Sequence, residues 1–115
     1  FDVNDCVLAQ MGKHFLLPDR SWLVIGREER ENAKIVSLMR QGDIKLDLTT
    51  GPGPTGLWRK ICSEVNADLA AGILCRYARL KSRLEEVKLS GPGTENMKII
   101  RTVPASDETI NKYGM

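Results

Sequence analysis

The chain has little of what most chemistry needs. It holds a single histidine, three cysteines and only two each of Phe, Trp and Tyr in 115 residues. One imidazole, His14, with no cysteine or carboxylate partner nearby, leaves no visible nucleophile–base pair and no metal-ligand cluster. Charge of one sign is also missing: 17 basic against 15 acidic residues give +2, so any surface for a polyanion must be local. No apolar run approaches the ~20 residues of a membrane span, and no signal peptide pattern opens the chain. Cys6, Cys62 and Cys75 are odd in number and lack Cys-x-x-Cys spacing, which reads as reduced thiols packed like small hydrophobes and points to the cytoplasm. The loop Gly51-Pro52-Gly53-Pro54-Thr55-Gly56 lacks the Gly-Lys-Ser/Thr of a nucleotide-binding P-loop. A chain of this size forms one domain with one real core. It opens on Phe1 rather than Met, from which we expect a domain cut from a longer protein.

What is present is organised around residues 51–81. After the Gly/Pro loop come Leu57, Trp58, Arg59 and Lys60, and then a pattern that predicts a long central helix over 61–81. On a helical wheel its apolar residues fill an arc of about 200°, the signature of a helix buried on more than one side. Glu64 and Asp68 stand early and Arg76 and Arg79 late, as the helix dipole favours. The glycines of the loop can expose backbone N–H groups to an anion, with Trp58 as a stacking surface and Arg59 and Lys60 as phosphate partners. A rigid strand-to-helix connection is the plainer alternative. Likewise Arg76, Arg79, Lys81 and Arg83 are either a basic cluster or a solvated helix end.

Elsewhere the patterns are those of hairpins and short helices. The first residues, with Val3, Val7 and Leu8, read as a short strand or turn before Gly12. Two apolar runs over 14–17 and 22–26, joined by Pro18-Asp19-Arg20-Ser21, predict a hairpin. Residues 28–40 predict a second helix with Ile35, Val36, Leu38 and Met39 on its buried stripe, stopped by Gly42. Asn32 falls inside that stripe and must find hydrogen bonds there, so it reads first as a structural polar residue that fixes how the helix docks on a neighbouring loop, with a ligand or base contact as the lesser alternative. Residues 43–48 alternate strictly, with Ile44, Leu46 and Leu48 on one face and Asp43, Lys45 and Asp47 on the solvent face. Runs over 86–89 and 97–103 flank Gly91-Pro92-Gly93 and predict another hairpin, and Ser106 caps a last helix from Asp107 to Tyr113. The expected fold is therefore α+β: a single small domain, residues 1–115, of mainly antiparallel hairpins packed on the long helix and a second one.

In this order, Ile25-Gly26-Arg27-Glu28-Glu29-Arg30-Glu31-Asn32, Gly42-Asp43, Gly51-Pro52-Gly53-Pro54-Thr55, Asp68-Leu69-Ala70-Ala71 and Arg76-Tyr77-Ala78-Arg79 resemble the NFACT RNA-binding domain. The similarity is greater to the variant that follows an adenine-nucleotide-binding, tRNA-thiolating enzyme domain. That resemblance implies a noncatalytic RNA-binding accessory module with tRNA or another structured RNA as partner. It implies no cofactor in this domain, ATP in the upstream enzyme domain of the same chain, and a thiouridylase-like transferase as the parent. With the local basic residues, it gives the candidate RNA contacts Arg27, Gly51, Gly53, Thr55, Trp58, Arg59, Lys60, Arg76, Tyr77, Arg79 and Lys81. No catalytic or metal-binding residue is assigned. A different class of function is a docking or dimerisation module of the parent enzyme, acting through an exposed sheet edge without touching RNA.

Overall fold

The computed structural model describes residues 3–26, 28–49, 53–59, 66–77, 85–91 and 97–114. In chain order the elements are α1 (Val3–Leu8), β1 (Lys13–Leu16), β2 (Trp22–Ile25), α2 (Glu29–Ser37), β3 (Ile44–Leu48), β4 (Thr55–Arg59), α3 (Ala67–Arg76), β5 (Glu85–Ser90), β6 (Met97–Thr102) and α4 (Asp107–Tyr113). The strands form one antiparallel sheet in the order β1-β2-β4-β3-β5-β6, so the α+β architecture expected from the hairpin patterns is the one observed.

Both expected hairpins form. In the first, the Leu17 N–H donates to Ser21 O and the Arg20 N–H to Leu17 O. Asp19 closes the turn from inside, its Oδ1 accepting the Ser21 N–H at 3.0 Å and the Ser21 hydroxyl. Arg20 takes φ of 67°, a left-handed conformation that the tight turn requires. Ser106 caps α4 as expected, its hydroxyl accepting the Thr109 N–H at 3.2 Å.

The central helix is described over part of the predicted 61–81. The described helix α3 has ten residues, a rise of about 15 Å; the predicted ends at 61–65 and 78–81 lie outside the described residues. At Tyr77 the backbone leaves the helix, its N–H donating to Leu74 O in a tightened last turn. Over the described residues the helix is buried on more than one side, since Ala67, Ala70, Ala71, Gly72, Ile73, Leu74 and Cys75 are all buried, with Leu69 and Tyr77 half-buried. The sheet covers α3 through β3, β4, β5 and β6. The segment after β6 then crosses it at Gly72, where the Ala105 N–H donates to Gly72 O at 2.9 Å. A Cβ at Gly72 would lie 3.2 Å from Val103 O, so the close crossing favours glycine. Ile110 and Tyr113 of α4 pack on the same core, and Gly114 bridges back to Phe15 of β1. Sheet and C-terminal segment together enclose the helix.

The opposite face of the sheet is covered over only half its width. There α1 and α2 bury Leu8, Trp22, Val24, Ile35 and Leu57, with Met11, Leu38 and Met39 at the margin. Strands β2 and β4, packed on both faces, are buried at every residue. The outer face of β3, β5 and β6 instead carries the ion pairs Lys45–Asp47 and Arg101–Glu86 with Lys88 and an exposed Ile99.

Three local expectations need correction. Residues 3–8 are a helix, because Asp5 and Leu8, one turn apart, are held by buried partners that lie far away in sequence. Leu57, Trp58 and Arg59 belong to strand β4, which begins already at Thr55 and pairs antiparallel with β3, so the Thr55-Gly56 end of the predicted loop is strand. Helix α2 spans Glu29–Ser37 within the predicted 28–40, and Val36 is exposed while Ile35 is the buried residue of the pair.

Candidate nucleic-acid interface

Helix α2 holds the β3–β4 hairpin by one amide. The Asn32 Oδ1 accepts the Thr55 N–H at 3.2 Å, and its Nδ2 donates to Gly53 O at 3.3 Å. The side chain thus spans two backbone groups of the entry to β4, while the Thr55 O accepts the Gly26 N–H at 2.8 Å. A Cβ at Gly26 would come within 2.1 Å of the Asn32 Oδ1, so glycine is what lets the amide reach the loop. Gly53 faces Leu48, whose Cδ1 would lie 2.7 Å from an added Cβ. The Thr55 hydroxyl donates to Asp47 Oδ1 at 3.1 Å. Gly53 and Thr55 are therefore engaged in docking the hairpin, and Asn32, half-buried rather than buried, reaches from α2 to its backbone.

Trp58 and Arg59 are removed from the surface. The Trp58 ring lies in the α3-side core, and its Nε1 donates to the Ser21 hydroxyl at 2.7 Å. The Ser21 hydroxyl in turn donates to Asp19 Oδ1, giving a Trp58→Ser21→Asp19 hydrogen-bond chain. Burial pushes the Asp19 carboxyl up, but hydrogen bonds from the Ser21 hydroxyl and backbone outweigh it and hold the group below its ordinary range. No base can stack on this indole.

On the other face Arg59, 2% exposed, uses all five of its N–H donors. The Nε donates to Asp43 Oδ1 at 3.1 Å, and Nη1 to Asn4 Oδ1 at 2.7 Å and Asp5 Oδ1 at 2.9 Å. The Nη2 donates to Asp43 Oδ2 at 2.8 Å and Leu38 O at 3.0 Å. Arg40 adds a second cation to Asp5 at 3.2 Å. This network ties α1, the end of α2, the start of β3 and the end of β4 into one unit. It corrects two expectations: Arg59 has no donor left for a phosphate, and Asp43, read as a solvent-face residue, is 3% exposed.

At the C-terminal end of α3, Arg76 pairs with Asp107 of α4. Tyr77 sits half-buried with its ring 6.1 Å from Phe15, and burial raises its hydroxyl above the ordinary tyrosine range despite the neighbouring Arg76. These two candidates do stand together. Arg27, Gly51, Lys60, Arg79 and Lys81 lie outside the described residues. His14 is a strand residue whose Nδ1 accepts the Trp22 Nε1–H at 3.0 Å with the rings stacked. Two exposed cations on α2, Arg30 and Lys34, have no ion pair among the described residues, in contrast with Arg40, Lys45, Arg59, Arg76 and Arg101. A bare sequence allows these charges to be counted, but carries no signal that separates paired from unpaired ones. Among the described residues no group of His, Cys, Asp and Glu side chains is placed to hold a metal ion, and no helix is long and apolar enough to cross a membrane.

The fold is that of a small α+β domain. The chain belongs to the NFACT protein RNA binding domain family, whose sequence model matches residues 12–114. Among solved structures it is similar to the C-terminal part of the fibronectin/fibrinogen-binding protein from Streptococcus suis, with a TM-score of 0.78 at 15% identity. That match covers 92% of this chain and 50% of the other, so the chain spans half the length of the protein structure it resembles, and at this identity the likeness speaks for the fold alone. No curated protein matches the chain.

Proposed function

We propose that the domain is a noncatalytic accessory module that binds tRNA or another structured RNA on behalf of a thiouridine-forming enzyme domain upstream in the same cytoplasmic chain. The family match over residues 12–114 carries the RNA-binding part. The ordered motifs from Ile25 to Arg79 support the finer reading, with ATP used in the upstream domain and none here. The packing indicates how RNA is met. Phe15, Trp22 and Trp58 are buried and Tyr77 is half-buried against Phe15, so these rings form no stacking platform of the kind single-strand binders use. Recognition then rests on backbone charge and shape, the mode suited to a folded RNA.

The test is binding of a tRNA transcript to this protein across a salt series. Affinity that falls linearly in log–log form with a slope of several phosphate contacts is expected; no binding at low salt overturns the proposal. A second reading, a docking or dimerisation module, draws on the edge strand β6, where Ile99 in the strand and Val103 just after it are 55% and 59% exposed. A dimer in solution by light scattering, together with absent RNA binding, would establish it instead.

A further inference from the structure

Helix α2 presents its outward side to a shallow groove of about 470 Å³ lined by Met11, Arg30, Glu31, Ala33, Lys34 and Ser37. Arg30, Ala33, Lys34 and Ser37 recur at three- and four-residue spacing and so share one stripe, opposite Ile35, which faces the sheet. Arg30 and Lys34 stand at i and i+4, with Cβ atoms about 6 Å apart. Neither has a carboxylate partner among the described residues. The acid in the groove, Glu31, is directed at the backbone, its Oε2 accepting the Gly12 N–H at 3.2 Å. Met11 and Ala33 give the floor an apolar character between the two cations. Ser37 donates its hydroxyl proton to Lys34 O at 2.6 Å, so what it offers outward is acceptor lone pairs. A phosphate oxygen has no proton to give it, whereas a ribose 2′-hydroxyl has.

Among the described residues the other charged surfaces lack this combination. On the open face of β3, β5 and β6, Lys45 and Arg101 are paired with Asp47 and Glu86, and Lys88 lies across the strand from Asp47. At the end of α3, Arg76 is paired with Asp107. Resting on the RNA-binding reading above, we infer that the α2 groove holds a stretch of RNA backbone, with phosphates on Arg30 and Lys34, the ribose over Met11 and Ala33, and a 2′-hydroxyl donating to Ser37.

The experiment measures tRNA affinity at several salt concentrations for the wild type, for Arg30→Ala with Lys34→Ala, and for Lys13→Ala with Lys112→Ala, which removes equal charge from exposed sites outside the groove. The groove variant is expected to bind about tenfold more weakly, with the salt slope flattened by about 1.4, roughly 0.7 for each phosphate that is no longer neutralised. The control pair is expected to leave the slope near wild type. RNA and DNA hairpins of one sequence form the second arm: Ser37→Ala should lower the RNA-to-DNA affinity ratio towards one. If the wild type binds RNA and the groove variant matches it in affinity and slope, the groove assignment fails while the RNA-binding reading stands. If both charge pairs give the same loss, the effect is general electrostatics and the assignment fails too. If the wild type binds no RNA, both readings fall. Parallel loss of binding to polyglutamate would assign the groove to an acidic protein and overturn the RNA assignment.

Discussion

Against one face of the sheet lies α3, seven of whose residues are buried in an almost wholly apolar core; against the other, α1 and α2 bury an arginine with two aspartates and clamp a hairpin through an amide. The first interface depends on area and shape and tolerates substitutions that keep volume. The second depends on every polar group having its partner, and it fixes which residues meet rather than only how much surface is covered. Four elements distant in sequence can share the Arg59 site in one arrangement only.

The sharpest break between the two is at Arg59. Arg59→Met should destabilise by about 3–5 kcal/mol, because Asp5 and Asp43 would be left buried without their cation; denaturant unfolding measures it. Replacing Asp5, Asp43 and Arg59 together by apolar residues of similar volume should cost much less, and equal losses for the single and triple variants would refute the uncompensated-charge account. On the α3 side, Leu74→Ala should cost about 3 kcal/mol through the cavity it leaves, whereas Leu74→Met should cost under about 1.5 kcal/mol. Such tolerance has no counterpart at Arg59, where even Arg59→Lys gives up the forked hydrogen bonds.

Asn32→Ala should cost about 1–3 kcal/mol, since the Thr55 N–H and Gly53 O lose a shared partner. An unmoved denaturation midpoint, or unchanged hydrogen exchange at the Thr55 amide, would deny the clamp. The smallest effect is at Asp19. Its folded carboxyl titrates below the ordinary aspartate value of 3.8, so its contribution is present above the unfolded value and is lost as pH falls through the lower folded one. Asp19→Asn should flatten the stability profile below about pH 4, with the Trp58–Ser21 link as the structural readout.

The local features were legible because local chemistry decides them. Pro18-Asp19 announced the first hairpin, the apolar runs over 86–89 and 97–103 the pairing of β5 with β6, Ser106 the last helix, and the ordered motifs the family. The amide of Asn32 was legible because a polar residue on an apolar stripe must be satisfied somewhere. Strand β4 was not, since Leu57, Trp58 and Arg59 carry no clean alternation and both faces of the strand are covered, which erases the period. Asp43 shows where the limit lies. Alternation correctly placed it on the face of Lys45 and Asp47, but only tertiary structure brings Asn4, Asp5 and Arg59 over that end of the face. Bonds between residues 54 positions apart, such as Asp5 with Arg59, leave no local trace. For the same reason the basic residues could be counted but not sorted into neutralised and available ones.

The two tryptophans fall on opposite sides of the sheet: Trp58 in the α3-side core beside Ser21, and Trp22 in the α2-side core stacked on His14. The molecule therefore carries one indole emitter per layer. With Trp22→Phe or Trp58→Phe, fluorescence follows the remaining layer alone, and two superimposable unfolding curves would mean that the layers open together.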